Sequence, residues 1–289
     1  MKVDFRFPAC CRSVLLLLGA VLCSGCGALT VVNALSPSEH YVAETGQAYG
    51  DAPRQRLDVY RPDAAAPDAP VVVFFYGNGW REASRSDFEF VAAALTEVGY
   101  IVVIPDYRGH PDATFPRFVE DGAAAVAWTA GHVDGVRDGR RRLFLAGHSA
   151  GAHIAAMLAF DRRYLDALED PPPVAGFIGL SGPYDFLPLE EGYLQEVFPE
   201  SLRERSQPIN FVSADAPPTL LIHGADDTRV LPGNSVHLLQ ALRTHDVPAT
   251  LEIYPDTGHA RVVAALAPPL GFLGDTLGDI VEFIADTPR

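Results

Sequence analysis

The stretch Arg142-Leu143-Phe144-Leu145-Ala146-Gly147-His148-Ser149-Ala150-Gly151-Ala152-His153 decides the fold. Residues 143–146 (LFLA) form a short apolar run of strand length. Residues 152–160 (AHIAAMLAF) are rich in Ala, Leu and Met and carry no Gly or Pro, as a helix requires. Between them lies Gly147-x-Ser149-x-Gly151, the pattern of a strained strand-to-helix turn that lifts a serine hydroxyl above a sheet. Side chains two positions either side of the serine would strike the helix or the strand, so both positions must be glycine. With 25 Gly and 12 Ser in the chain, the pattern alone arises by chance in roughly one such chain in ten. The strand-turn-helix context is what gives it meaning.

Outward from this turn, the chain alternates between two kinds of segment. Residues 71–76 (VVVFFY) and 100–105 (YIVVIP) are continuous β-branched and aromatic runs, the signature of strands buried on both faces of a parallel sheet. Residues 56–60 (RLDVY) alternate as a half-exposed strand, 62–70 read as a loop, and 174–180, 219–223 and 250–254 complete the strands. Helical segments are predicted over 87–98, 116–132, 235–244 and 277–286, with Gly99 ending the first and Pro116 opening the second. Strands alternating with helices give an α/β fold with a mostly parallel, doubly wound sheet. One long irregular connection, residues 182–218, carries Tyr184, Phe186, Tyr193, Phe198 and Phe211, and a connection of that length is usually functional.

At 289 residues and 48% hydrophobic, the chain can bury one large α/β core without a second domain. A net charge of −15 repels nucleic acid and anionic headgroups, so neither is expected as a partner. All four cysteines, Cys10, Cys11, Cys23 and Cys26, precede residue 27, which leaves the rest of the chain without disulfides or thiolate metal sites. Lys2, Arg6 and Arg12, followed by the apolar run 14–22 and Cys23-Ser24-Gly25-Cys26, read as an export signal. The tetrad resembles a bacterial lipobox, with Cys23 where leucine is commoner, and this implies lipid modification of Cys26. The expected organisation is a signal peptide over 1–25, a tether over 26–40 and a catalytic domain over 41–289. That organisation would place an exported, membrane-anchored lipoprotein on the periplasmic or cell-surface side.

A serine hydroxyl is a weak nucleophile and needs a histidine base, which in turn needs a carboxylate to fix its tautomer. The turn after the strand ending at His223 reads His223-Gly224-Ala225-Asp226-Asp227-Thr228-Arg229-Val230, and both Asp226 and Asp227 compete for the carboxylate. The loop after the last strand, Pro255-Asp256-Thr257-Gly258-His259, supplies the base, His259. His237 and His245 lie on or after a helix, and His223 ends a strand. His148 and His153 are too close in sequence to Ser149 to reach its attack side. An oxyanion hole needs the N–H after the nucleophile, that of Ala150, and a second from Tyr76-Gly77-Asn78-Gly79-Trp80. Asn78 is the first candidate there, with Gly77 or Gly79 second, and Asn is the non-glycine residue most tolerant of the positive φ that such a loop can take.

These motifs, together with Pro105-Asp106-Tyr107-Arg108 and Gly182-Pro183-Tyr184-Asp185, resemble the bacterial α/β-hydrolases of the carboxylesterase and feruloyl-esterase-like type, near the isoprenylcysteine methylesterase-like and kynurenine-formamidase-like branches. The resemblance spans residues 41–284. It implies an α/β-hydrolase fold, and its H-G-x-x-D-x-x-V pattern selects Asp227. The loop at Tyr76 resembles the H-G-G-G-W loop of esterases, with Tyr76 for histidine and Asn78 for a glycine. Asp106-Tyr107-Arg108 and Asp185 are expected to be structural. The implied activity is hydrolysis of short to medium acyl esters by Ser149, His259 and Asp227, with no cofactor and no metal. Trp80, Tyr184 and Phe186 are expected to line the substrate pocket. Amide or formamide hydrolysis by the same triad is the alternative, and a non-catalytic binding protein is the other-class reading. The oligomeric state is left open.

Overall fold

The computed structural model describes residues 32–33, 36, 39–81, 83–190 and 192–288. The signal-like segment and Cys26 lie outside them, and among the described residues no helix is long and apolar enough to cross a membrane. Eight strands form one sheet: β1 (Tyr41–Ala48), β2 (Arg56–Pro62), β3 (Val71–Phe75), β4 (Ile101–Pro105), β5 (Leu143–His148), β6 (Val174–Leu180), β7 (Thr219–Gly224) and β8 (Ala249–Tyr254). Their spatial order is β1-β2-β4-β3-β5-β6-β7-β8. β3 to β8 pair in parallel, and β2 runs antiparallel to both β1 and β4. Every residue of β3, β4 and β5 is buried, which is why those strands read as unbroken apolar runs rather than alternating ones.

β1 has no counterpart in the sequence reading. Its residues, YVAETGQA, are mostly exposed and belong to an edge strand whose register shifts between Glu44 and Gln47. Gly46 sits in that bulge at φ 69°, and its N–H donates to Asp58 Oδ1. A solvated, bulged edge carries no hydrophobic period from which it could be recognised.

The helices are α1 (Glu89–Glu97), α2 (Arg117–His132), α3 (Ala150–Phe160), α4 (Arg163–Asp166), α5 (Gly192–Val197), α6 (Gly233–Thr244), α7 (His259–Ala264) and α8 (Thr276–Asp286). α3 is buried along its whole length and packs on β3, β5 and β6, with α2 outside it. α2 in turn packs closely on α3: a Cβ at Gly122 of α2 would lie 2.9 Å from Ile154. β3 feeds β4 on one side and β5 lies on the other, so the chain order reverses at β3. Ligands of open α/β sheets bind outside the strand C-termini at such a reversal. The segment predicted as tether is partly docked: Asn33 Nδ2 donates to Ser86 O, and its Oδ1 accepts the Phe90 N–H at the start of α1.

Candidate active site

Ser149 lies between β5 and α3 at φ 55°, ψ −124°, a strained conformation for a residue with a side chain. The flanking glycines are sterically compelled. A Cβ at Gly147 would stand 2.4 Å from Gly151 O, and one at Gly151 would stand 2.0 Å from Phe75 O at the end of β3. The elbow is thus wedged between its own helix and the neighbouring strand, and Ser149 remains 9% exposed.

The turn after β7 and the start of α7 deliver the partners. His259 Nε2 is 2.8 Å from Ser149 Oγ, and His259 Nδ1 is 2.7 Å from Asp227 Oδ2. Because a carboxylate only accepts, Nδ1 carries the proton and Nε2 is left to accept from the serine hydroxyl. Asp227 is the partner and Asp226 is an exposed turn residue, as the motif implies. Asp227 Oδ1 accepts the N–H groups of Arg229 and Val230, each at 2.9 Å. Burial pushes the Asp227 carboxyl up, but the bonds from His223 and His259 and the Val230 N–H outweigh it and hold it far below the usual carboxylate range. The base therefore always faces an anion. His259 opens α7 rather than lying in a loop, with Gly258 as its extended N-cap.

The other histidines near the serine are struts. His148 Nε2 donates to His259 O at 3.1 Å, and burial, with His259 beside it, lowers its pKa to about 3. His153 Nε2 donates to Ser206 O at 2.8 Å, so its Nδ1 accepts the Trp80 indole N–H at 3.2 Å. Burial lowers its pKa to about 4, so it stays neutral at physiological pH. Through this one ring the loop after β3, α3 and the segment 182–218 are joined.

The loop after β3 lies against the serine: a Cβ at Gly77 would be 2.7 Å from Ser149 Cβ. Positive φ falls on Gly79 (62°) and Trp80 (56°) and not on Asn78. The expected strain at Asn78 is therefore absent, and asparagine replaces glycine there without conformational cost. Tyr76 anchors the loop from beneath. Its hydroxyl donates to Asp106 Oδ1 at 2.8 Å, and its carbonyl accepts from Tyr107 Oη at 2.9 Å. Asp106 also takes the Arg85 N–H at 2.8 Å and Arg85 Nη1 at 2.5 Å. Arg108 clamps Asp121 with two nitrogens. Asp106 and Tyr107 thus have the structural role expected of them, holding Tyr76 at the root of the loop after β3, while Arg108 ties the turn to α2, and Arg85 joins them without having been anticipated. The tyrosine standing for histidine was its one visible signal.

Trp80 is buried, stacked on half-buried Phe186 and edge-on to Phe198. Tyr184 corrects the sequence expectation: it is fully buried, edge-on to Phe177 of β6, and faces no pocket. Its place over the strand lets the chain turn, and a Cβ at Gly182 would lie within 2.4 Å of its hydroxyl. Tyr193, on α5, brings its hydroxyl to 2.8 Å from the Cβ position of Gly79, and Arg81 stacks on its ring at 4.0 Å. Asp185 pairs with His237 at the surface, 2.7 Å apart.

A doubly wound sheet with a serine elbow after β5, an aspartate after β7 and a histidine after β8 defines a serine hydrolase of the α/β-hydrolase fold. The BD-FAE family profile matches residues 57–242, and the chain belongs to that family. A probable isoprenylcysteine alpha-carbonyl methylesterase of Arabidopsis thaliana is 27% identical over 260 residues, covering 82% of this chain and 54% of that protein. A kynurenine formamidase of Danio rerio is 29% identical over 230 residues, covering 75% of each. The chain thus spans about half the length of the first of these relatives. Among solved structures, esterase B from Lactobacillus rhamnosis superposes with a TM-score of 0.75 at 21% identity over 95% of both chains, a likeness of fold.

Proposed function

We propose that the protein is a carboxylic-ester hydrolase working through a covalent acyl-enzyme on short to medium acyl esters. The observation that carries the reading is the continuous bond path from Asp227 Oδ2 through His259 to Ser149 Oγ. Ser149 Oγ attacks the ester carbonyl while His259 Nε2 takes its proton. The ionised Asp227 stabilises the imidazolium formed. The Ala150 N–H, free at the N-terminus of α3, and the Asn78 N–H, with Gly77 and Gly79 beside it, receive the developing oxyanion. His259 then returns the proton to the leaving alcohol, and water repeats the sequence on the acyl-enzyme. Trp80 and Phe186 form the apolar wall, and a small-molecule ester is the partner.

A second reading, amide hydrolysis, draws on the formamidase relative, since the same triad can cleave a formamide. Matched series of p-nitrophenyl esters, from acetate to palmitate, and N-formyl arylamines separate the two. Ester turnover that falls with chain length and disappears in Ser149→Ala supports the proposal, and a kcat/KM higher on the formamide replaces it. The export reading rests on the sequence around Cys26. Globomycin-sensitive processing, and release of Cys26→Ala from membranes, are its expected outcomes.

A further inference from the structure

Three donors bond the Asp227 carboxylate, and a fourth N–H that belongs to neither the triad nor the main chain lies against it. His223, the penultimate residue of β7, is fully buried. Its Nε2 lies 2.9 Å from Val230 O and 3.3 Å from Asp227 Oδ2. A carbonyl only accepts, so Nε2 carries the hydrogen, donates it to Val230 O, and keeps the positive end of that N–H beside Asp227 Oδ2. Nδ1 is then an acceptor and takes the hydroxyl hydrogen of Ser235, 2.8 Å away on α6 and fully buried as well. Asp227 Oδ2 is the same oxygen that receives His259 Nδ1.

We infer that His223, held in one tautomer by Ser235, is a positioning residue that sets both the orientation and the charge density of Asp227 Oδ2, and through it the basicity of His259. The inference rests on the hydrolase reading given above. The physical reason is competition: a second N–H on Oδ2 withdraws charge that would otherwise bind the imidazolium. Without it, Oδ2 attracts the protonated His259 more strongly, and the base is harder to return to its neutral, reactive form. The titratable groups in contact with His259 are Asp227 from the turn after β7 and His148 from the end of β5, with His223 on the far side of Asp227. His148 stays neutral, so the effect can be assigned to the anion.

The test is the pH profile of kcat/KM on a p-nitrophenyl ester for His223→Leu and His223→Gln. Glutamine can place an N–H near the position of Nε2, and leucine cannot. His223→Leu is expected to lower kcat roughly tenfold at neutral pH with KM little changed, and to raise the acid-limb midpoint by about half a pH unit. His223→Gln is expected to restore the wild-type midpoint. A smaller upward shift is expected for Ser235→Ala, which frees the His223 tautomer. Should His223→Leu fail to fold, His223→Asn, too short to reach Oδ2, gives the same contrast with His223→Gln. A folded His223→Leu or His223→Asn enzyme with the wild-type midpoint overturns the inference, as does an identical profile for the glutamine variant and its apolar or shortened counterpart. Failure of the hydrolase reading looks different, because wild type would then show no turnover that Ser149→Ala abolishes.

Discussion

On one flank of Ser149, Asp227 and His259 are positioned by charge and by hydrogen bonds between side chains. On the other, residues 77–79 lie against the serine as main chain, held there by a buried network beneath and beside them. The first flank is two fully satisfied polar groups whose loss is a loss of chemistry. The second is a loop whose shape is its function, maintained by Tyr76, Tyr107, Asp106 and Arg85 beneath it and by His153 beside it. An exact charge and an exact backbone path are different requirements, and mutations separate them.

Asp227→Asn attacks the first flank. The asparagine can offer an N–H to His259 Nδ1, which selects the wrong tautomer, and kcat is expected to fall roughly 10⁴-fold with the fold retained. Steady-state kinetics beside a thermal melt check this. Gly77→Ala attacks the second. Its methyl would stand 2.7 Å from Ser149 Cβ, so the loop must withdraw from the oxyanion, with a loss of roughly 10²–10³ in kcat and little change in ester binding. If Gly77→Ala were as active as wild type, the loop would have slack and the contrast would dissolve.

Tyr76→Phe sharpens the contrast. Asp106 keeps Arg85 but loses the phenol, which is expected to cost about 1–2 kcal/mol of stability and less than about tenfold in rate. Urea unfolding and kcat on one substrate measure both. A further effect is on stability against pH, and it leaves the rate at neutral pH untouched. The folded-state pKa of His153, about 4, lies below its ordinary 6.5. The unfolded chain therefore binds its proton first, and stability is fully present above about pH 6.5 and drains away as pH falls toward 4. The contribution is on the order of 3 kcal/mol or less. Tm measured from pH 7 to 4.5 should fall, and His153→Gln should flatten that slope.

The same division explains what could be read in the sequence. The elbow and His259 were legible because each chemistry demands one residue type at one place in the strand order, whereas that order left Asp226 and Asp227 tied until the family pattern chose between them. The interior strands were legible because burial on both faces leaves nothing but apolar residues. β1 was not, since an exposed, bulged edge is specified by its neighbour β2 and not by its own pattern. Tyr184 misled because an aromatic residue after a strand can as easily complete a core as line a pocket, and only its burial against Phe177 separates the two. The loop supports were invisible for a further reason. Arg85 and Asp106 meet through the fold, 21 positions apart, and no local period records that meeting. His223 was visible as part of a motif, but its bond to Asp227 was not.

His153 reaches the segment 182–218 through the main-chain carbonyl of Ser206, an atom that every amino acid supplies. The joint is indifferent to the side chain on its far side. Side chains along that segment can therefore vary without breaking this bond, so long as Phe186 and Phe198 keep their places against Trp80.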